Sequence, residues 1–231
     1  MLSEESWIYR IHGFWAKDKP ELSQIFSEGR DKVLKDHGID KVAQNDTYWH
    51  FQEGVYVLLM FDRNDVAVAG IRLEKKIKGI PLNLQKDLQG YNDVNEFVDS
   101  FNNYVIGEVC GLWNAKSILD KNVAILLVRY ITALTRVLGF EKILTFNASY
   151  TYLLAVSVGG KMVKHLGHDG VFYYPTKEYK ASLFLYDDLI NHDGARGYDR
   201  ERIFSLRENY NQLFEEHVKS NKIIVKYEAI L

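Results

Sequence analysis

The stretch from Asn122 to Phe140 constrains this chain most, because it is apolar almost all round at helical spacing, interrupted only by Arg129, Thr132, Thr135 and Arg136. A helix without a polar face has to be covered on more than one side, so it lies mostly buried. A β-rich run, Tyr104 to Ala115, precedes it and a short apolar run, Lys142 to Phe146, follows it. Together they read as strand, buried helix, strand. Upstream, Val55 to Phe61 and Val66 to Leu73 are joined by Asp62-Arg63-Asn64-Asp65, turn-forming residues that make an antiparallel hairpin the natural reading. Tyr150 to Val158 is a second apolar helix closed by Gly159-Gly160, and Lys180 to Tyr186 is a late strand. This alternation of strand and helix implies an α/β architecture.

Other features limit the organisation and the class of function. At 231 residues, 47% hydrophobic and 26% charged, the chain suits one large domain or one domain with an extension, and is neither disordered nor fibrous. Its three prolines and the lack of a Ser/Gly-rich tract leave no linker between independent domains. Lys and Arg number 29 against 31 Asp and Glu, so the net charge of −2 supplies no general field for nucleic acid, and none is expected as a partner. The single cysteine, Cys110, excludes an intrachain disulfide framework and a Cys-based zinc site. The start MLSEESWIYR lacks the basic and apolar regions of a signal peptide, and no apolar run reaches the ~18 residues of a membrane span, which makes the cytoplasm the expected location.

The remaining segments are polar or amphipathic. Pro20 to His37 is a first helix with Leu22, Ile25, Phe26, Val33 and Leu34 on its apolar positions. Lys75 to Tyr104 is a mixed insertion with a short helix near Val94 to Phe101. Tyr198 to Ser220 reads as one helix whose stripe of Ile203, Leu206, Tyr210, Leu213 and Phe214 covers the chain's own core or, alternatively, forms a homodimer seam. Lys222 to Tyr227 adds an edge strand.

The segment VIGEVCGLWNAKSILDKNVAILLVRYITALTRVLGFEKILTF resembles the acyl-coenzyme A binding core of the GNAT acyltransferase superfamily, and the resemblance spans roughly residues 45 to 188. It implies a mixed, mostly antiparallel sheet flanked by helices over residues 1–190, with a C-terminal helical extension and terminal strand, 191–231, on the same domain or a dimer partner. In that family a strand runs into a loop written R/Q-x-x-G-x-G/A, whose backbone N–H groups cradle pyrophosphate at the N-terminus of the next helix. Here the Arg or Gln position falls on Leu119, the first Gly on Asn122 and the last Gly or Ala on Ala124, so only the last matches. Asn122 tolerates the positive φ a glycine would supply; Lys121 attracts phosphate and Asp120 repels it. The resemblance implies acetyl-CoA or a longer acyl-CoA as co-substrate, held by Leu112, Trp113, Asn114, Leu119, Asp120, Lys121, Asn122, Val123, Ala124 and Asn147, with no metal.

Strand periodicity puts Glu108, Cys110, Leu112 and Asn114 on one face and Val109, Gly111, Trp113 and Ala115 on the other. Glu108 is a carboxylate among apolar neighbours, suited to removing a proton from an ammonium acceptor, or else a structural partner for Arg72 on the hairpin. The family's thiolate-protonating Tyr falls near Leu154 to Val156, none a tyrosine; Tyr150 and Tyr152 lie earlier on that helix, and Tyr152 is the candidate acid. Cys110 reads as inert packing. His165 and His168 flank a turn at Gly167 rather than a helix, which favours surface or substrate contact over metal. Lys75, Lys76 and Lys78 form a solvated run or a contact for a coenzyme A phosphate or an acidic carrier protein.

Three functions follow. The first is an acyl-CoA-dependent N-acyltransferase with Glu108 as base. The second resembles the acyl-homoserine-lactone autoinducer synthases, whose plan has a long insertion before the Glu-bearing strand, and implies a long acyl chain and an acyl carrier protein donor. The third is a non-catalytic protein that keeps the fold and uses the helix from Tyr198 as an interaction surface.

Overall fold

The computed structural model describes residues 6–36, 38, 47–219 and 221–231. His37 and Ser220, the expected ends of two helices, lie outside them. Among the described residues ten strands form one sheet: β1 (Tyr9–Trp15), β2 (Val55–Phe61), β3 (Ala67–Lys75), β4 (Ile106–Asn114), β5 (Lys142–Ala148), β6 (Lys161–Met162), β7 (Phe172–Tyr173), β8 (Lys180–Tyr186), β9 (Gln212–Val218) and β10 (Asn221–Ala229). The helices are α1 (Pro20–Asp36), α2 (Asn83–Asp87), α3 (Asn92–Asp99), α4 (Ala124–Val137), α5 (Tyr152–Ser157) and α6 (Gly197–Glu208). The sheet order is β6-β8-β5-β4-β3-β2-β1-β10-β9, with β7 also beside β8. The β1–β10 and β4–β5 pairs are parallel and the other described pairs antiparallel, so the expected α/β fold with a mixed, mostly antiparallel sheet is observed.

α4 owes its apolar character to its place between two layers. Leu126, Leu127, Tyr130, Ile131 and Leu134 are inaccessible within the core cluster that also takes in β2, β3 and β10, and α6 packs over its outer side with Ile203 and Leu206. Of the four polar side chains expected to break the pattern, Arg129, Thr132 and Thr135 are buried as well, while Arg136 reaches solvent. Arg129 is buried because it is paired: its Nε donates to Asp199 Oδ1 at 2.6 Å and its Nη1 to Glu216 Oε2 at 3.3 Å.

The C-terminal region departs from the sequence reading. The helix expected over Tyr198 to Ser220 stops at Glu208, and Leu213 and Phe214 belong to β9. Asn209 leaves helical dihedrals and the chain reverses through Tyr210 and Asn211. The expected edge strand at Lys222 to Tyr227 is instead an interior strand, β10, paired on one side with β1 and on the other with β9. Ile203 and Leu206 of the α6 stripe are fully buried against the chain's own core.

The opposite face of the sheet is covered by two units that meet over β4. α1 packs on β3 and β4 through Phe26, which joins Trp49 and Trp113 in an aromatic cluster. Gly29 permits the close approach, since a Cβ there would sit 2.3 Å from the Trp113 ring. The insertion before β4 forms its own core: Leu82, Leu84, Leu88, Val94 and Val98 from α2, α3 and their flanks pack on Ile106, Leu144 and Phe172. The polar seam between these units holds the candidate site.

Candidate active site

β4 and β5 run together only through Ile106–Lys142, Gly107–Ile143 and Glu108–Leu144. Beyond that register β4 continues bonded to β3, and β5 bonded to β8, so the two strands fork. One backbone edge of each then lacks a ladder partner in the sheet, which leaves N–H and C=O groups for a ligand. Thr145 to Ala148, rather than Lys142 to Leu144, is therefore the parting side of β5. Asn147 lies in it, half-buried and paired to Ser182.

A β-bulge re-aims the side chains of β4. Arg72 faces Cys110 and Gly70 faces Trp113, so Ile71 opposes both Gly111 and Leu112. Gly111 adopts φ +66°, a conformation costly for any residue with a Cβ. Simple alternation put Leu112 beside Glu108 and Cys110, with Trp113 opposite. The bulge exchanges them: Leu112 packs on the α4 side, and Trp113 joins the cluster under α1 with its ring buried. The Trp113 side chain is thus turned away from the α4 side of the fork, while Asn114 keeps a buried Oδ1 with no protein partner among the described residues.

Glu108 is 2% exposed and receives a hydrogen bond from the Leu84 backbone N–H at 3.0 Å. Burial, reinforced by Glu74 directly across the ladder, pushes its carboxyl up to about 8. The alternative role as a structural partner of Arg72 goes to Glu74 instead, which accepts the Arg72 Nε–H, while the Arg72 guanidinium stacks 4.5 Å over the Trp49 ring. Cys110 Sγ lies 3.7 Å from Glu74 Oε1, and burial raises its thiol well above the usual range, which disfavours the thiolate. Asp87 completes the cluster, accepting from the Tyr174 hydroxyl at 2.6 Å; burial raises its carboxyl too. Asp87, Tyr174 and Arg30 come from α2, the segment after β7 and α1, and no local motif marks them.

At the mouth of the fork a 3-10 turn over Lys116–Lys121 leads into α4. Asn122 takes φ 56°, ψ 26°, the left-handed conformation anticipated for it, and its Nδ2 donates to the Asp120 carbonyl at 2.8 Å. No side chain caps the α4 N-terminus and no acidic residue occupies its first turn, so its N–H groups and positive dipole end are available to an anion. Val123 and Ala124 are buried; the side chains of Leu119, Asp120 and Lys121 are exposed, and Lys121 Nζ lies 3.4 Å from the Tyr9 hydroxyl. Asn122→Ala is expected to lose about 1–2 kcal/mol in urea unfolding and Asn122→Gly less than half of that. Equal losses would assign the cost to the side-chain bond with Asp120 instead of the backbone.

Tyr152 begins α5 with its ring edge-on to Phe184 at 5.2 Å and remains 38% exposed, whereas Tyr150 is 80% exposed. His165 packs on Phe97 at 5.5 Å and His168 sits in a turn bridged to Val171. Among the described residues, no group of three His, Cys, Asp or Glu could hold a metal ion. Lys76 is tied to Gln85 at 2.9 Å, leaving Lys75 and Lys78 exposed from the basic run. No described helix is long and apolar enough to cross a membrane.

No family model matches the chain, and no curated protein matches it in sequence. Solved structures do match. The CoA-dependent acyl-homoserine lactone synthase BjaI, crystallised with SAM and isopentyl-CoA, superposes with a TM-score of 0.57 at 12% identity, covering 87% of this chain and 90% of its own. FeeM, an N-acyl amino acid synthase from uncultured soil microbes, gives 0.56 at 10% identity over 78% and 90%. Aminoglycoside 6'-acetyltransferase type Ii gives 0.50 at 14% identity over 78% and 97%. The forked β4 and β5, the bulge at Gly111 and the helix entered through Asn122 thus belong to a chain with the GNAT acyltransferase fold.

Proposed function

We propose that the protein transfers an acyl group from an acyl-CoA thioester to an amine, and the observation that carries this reading is a buried, high-pKa glutamate at the point where two parallel strands part. The thioester enters the fork between Leu112–Asn114 and Thr145–Asn147, where a free backbone N–H polarises its carbonyl. Its pyrophosphate meets the N-terminus of α4 at Asn122, Val123 and Ala124, flanked by Leu119, Asp120 and Lys121. Glu108 takes a proton from the acceptor ammonium. The nitrogen lone pair then attacks the thioester carbon, the C–S bond breaks, and the second nitrogen proton passes to the departing sulfur. Tyr152 is the candidate relay, giving its hydroxyl proton to the sulfur and taking the nitrogen proton in its place, at the start of the helix after β5.

The uncapped end of α4 and the orphaned Asn114 Oδ1 suit this ligand, because one seeks an anion and the other an N–H donor such as a pantetheine amide. Calorimetric titration with coenzyme A, acetyl-CoA and a long-chain acyl-CoA tests it. Micromolar affinity is expected, and absence of binding to all three would favour a carrier-protein donor or the non-catalytic use of the fold.

A second reading, an autoinducer-synthase-like enzyme with a long acyl chain and an acyl carrier protein donor, draws on one feature. The α2–α3 insertion packs directly on the Glu108 face and gives that face an apolar wall of Leu82, Leu84 and Leu88. Reversing the charge of Lys75 and Lys78 is expected to reduce turnover with a carrier-protein donor and spare turnover with acyl-CoA; equal rates with both variants would remove the carrier-protein contact.

A further inference from the structure

α2 has five residues, little more than one turn, and a helix that short keeps its place only through what it grips. Asn83 Nδ2 lies 3.6 Å from Cys110 Sγ on β4, and Gln85 accepts from Lys76 Nζ at 2.9 Å while donating to Asn95 Oδ1 of α3 at 3.0 Å. Between them the Leu84 backbone N–H, a first-turn donor that helical bonding leaves over, meets Glu108 Oε2 at 3.0 Å. At the far end of the helix Asp87 Oδ1 accepts the Tyr174 hydroxyl at 2.6 Å. The helix that carries the hydrogen-bond donor to the candidate base is therefore tied down by a tyrosine from a distant part of the chain.

Tyr174 is itself held on the β5 side of the fork. Its backbone N–H donates to the Tyr179 carbonyl at 3.0 Å across the turn between β7 and β8. Its ring lies 5.7 Å from that of Phe146, in the stretch of β5 that has parted from β4. Burial raises the Asp87 carboxyl and the Tyr174 hydroxyl opposes that rise, so the bond is charge-assisted when Asp87 is ionised. Both residues are half-buried, where water replaces such a bond poorly. At the base, the Leu84 N–H occupies Oε2 and leaves Oε1 for the acceptor nitrogen; against the burial that raises this carboxyl, it also stabilises the ionised form that can take a proton.

We propose that the Tyr174–Asp87 hydrogen bond latches α2 to the sheet and thereby keeps the Leu84 N–H on Glu108, which makes Tyr174 and Asp87 positioning residues for the base. The effect on rate rests on the acyl-transfer reading above; the latch itself is a property of the chain without substrate. Neither side chain exchanges a proton with substrate in this role. Each acts through α2, and the loss of either falls on turnover rather than on thioester affinity.

The test compares the intact chain with Tyr174→Phe, which keeps the ring on Phe146, with Asp87→Ala, which removes the acceptor, and with Asp87→Asn, whose amide oxygen can still accept the hydroxyl. The first readout is the NMR shift of the Leu84 amide proton as pH is varied. Bonded to Glu108, it should show a titration step near pH 8 that Glu108→Gln abolishes. Tyr174→Phe and Asp87→Ala should each lose most of that step. Asp87→Asn should keep its amplitude with a lower midpoint, because Asp87, like Glu74 and unlike Arg72, raises the Glu108 carboxyl. The second readout is coenzyme A release from acetyl-CoA with a panel of primary amines. Tyr174→Phe should lower kcat about 10-fold with KM for acetyl-CoA within about threefold, and Asp87→Asn should hold kcat within about threefold. No step in the intact chain, a full step in Tyr174→Phe or Asp87→Ala, or a step lost equally in Asp87→Asn overturns the latch. A lost step with unchanged kcat overturns the positioning role and leaves acyl transfer standing. If no amine is acylated, acyl transfer fails, and the titration step alone decides the latch.

Discussion

Glu108→Gln is expected to lower the rate of acyl transfer by about 10²- to 10⁴-fold while leaving thioester affinity within about threefold. The amide can still accept the Leu84 N–H, so the local geometry survives, but it cannot take a proton. With the carboxyl held at about 8, kcat/KM of the unmodified chain should rise with pH toward a plateau above 8, as the ionised form accumulates. Stability should move the other way. Unfolded, this carboxyl ionises near 4.5, and folded it keeps its proton to about 8, so across that window the folded state binds more protons. Stability therefore falls as pH rises from 4.5 to 8 and is flat in this group on either side. Glu108→Gln removes that slope, so urea unfolding at several pH values measures the same carboxyl without substrate. A rate loss accompanied by an equal loss of thioester binding would remove Glu108 from the chemistry.

The reasons these features were or were not legible in the sequence are physical. α1, the β2–β3 hairpin, α4, β5 and β8 stand out because each buries one face or both, and burial writes a period into the residues. β1 carries alternation over only a few residues, with Gly13 breaking it, so its period does not mark it as a strand. Leu213 and Phe214 satisfy helical spacing from Leu206, so nothing in the periodicity separates α6 from β9; the signal lies in Asn209 and Asn211, which favour a turn. Glu108 stands out in the sequence because a carboxylate in an apolar strand is conspicuous. The bulge was signalled by Gly111 inside that strand, and ignoring it placed Trp113 and Leu112 on the wrong faces. Arg30, Asp87 and Tyr174 could not be found at all: they are far apart along the chain and meet only because α1 and the insertion close over one side of the sheet.

Glu216→Ala is expected to destabilise the protein by about 3–5 kcal/mol, because it strips the acceptor from two buried guanidiniums at once. Glu216 is inaccessible; its Oε1 accepts from Arg202 Nε at 2.9 Å, Arg202 Nη2 at 2.6 Å and the Tyr227 hydroxyl at 2.7 Å. Its Oε2 accepts from Arg129 Nη1 at 3.3 Å. Asp199 can hold Arg129 alone, but Arg202, lying 3.5 Å over the Phe214 ring, would retain only Ser205 for its Nη1 and face desolvation without a counter-charge. Glu216→Gln keeps an acceptor and should lose distinctly less. A midpoint fall near 10 °C is expected for Ala in thermal unfolding; a loss below about 1 kcal/mol would show that water or rearrangement satisfies the arginines. The network joins α4 to α6, β9 and β10, so it anchors the same helix whose N-terminus faces the fork. Its loss should therefore loosen the C-terminal hairpin before it touches Glu108, and hydrogen exchange should rise first along β9 and β10, with β4 protected until global unfolding.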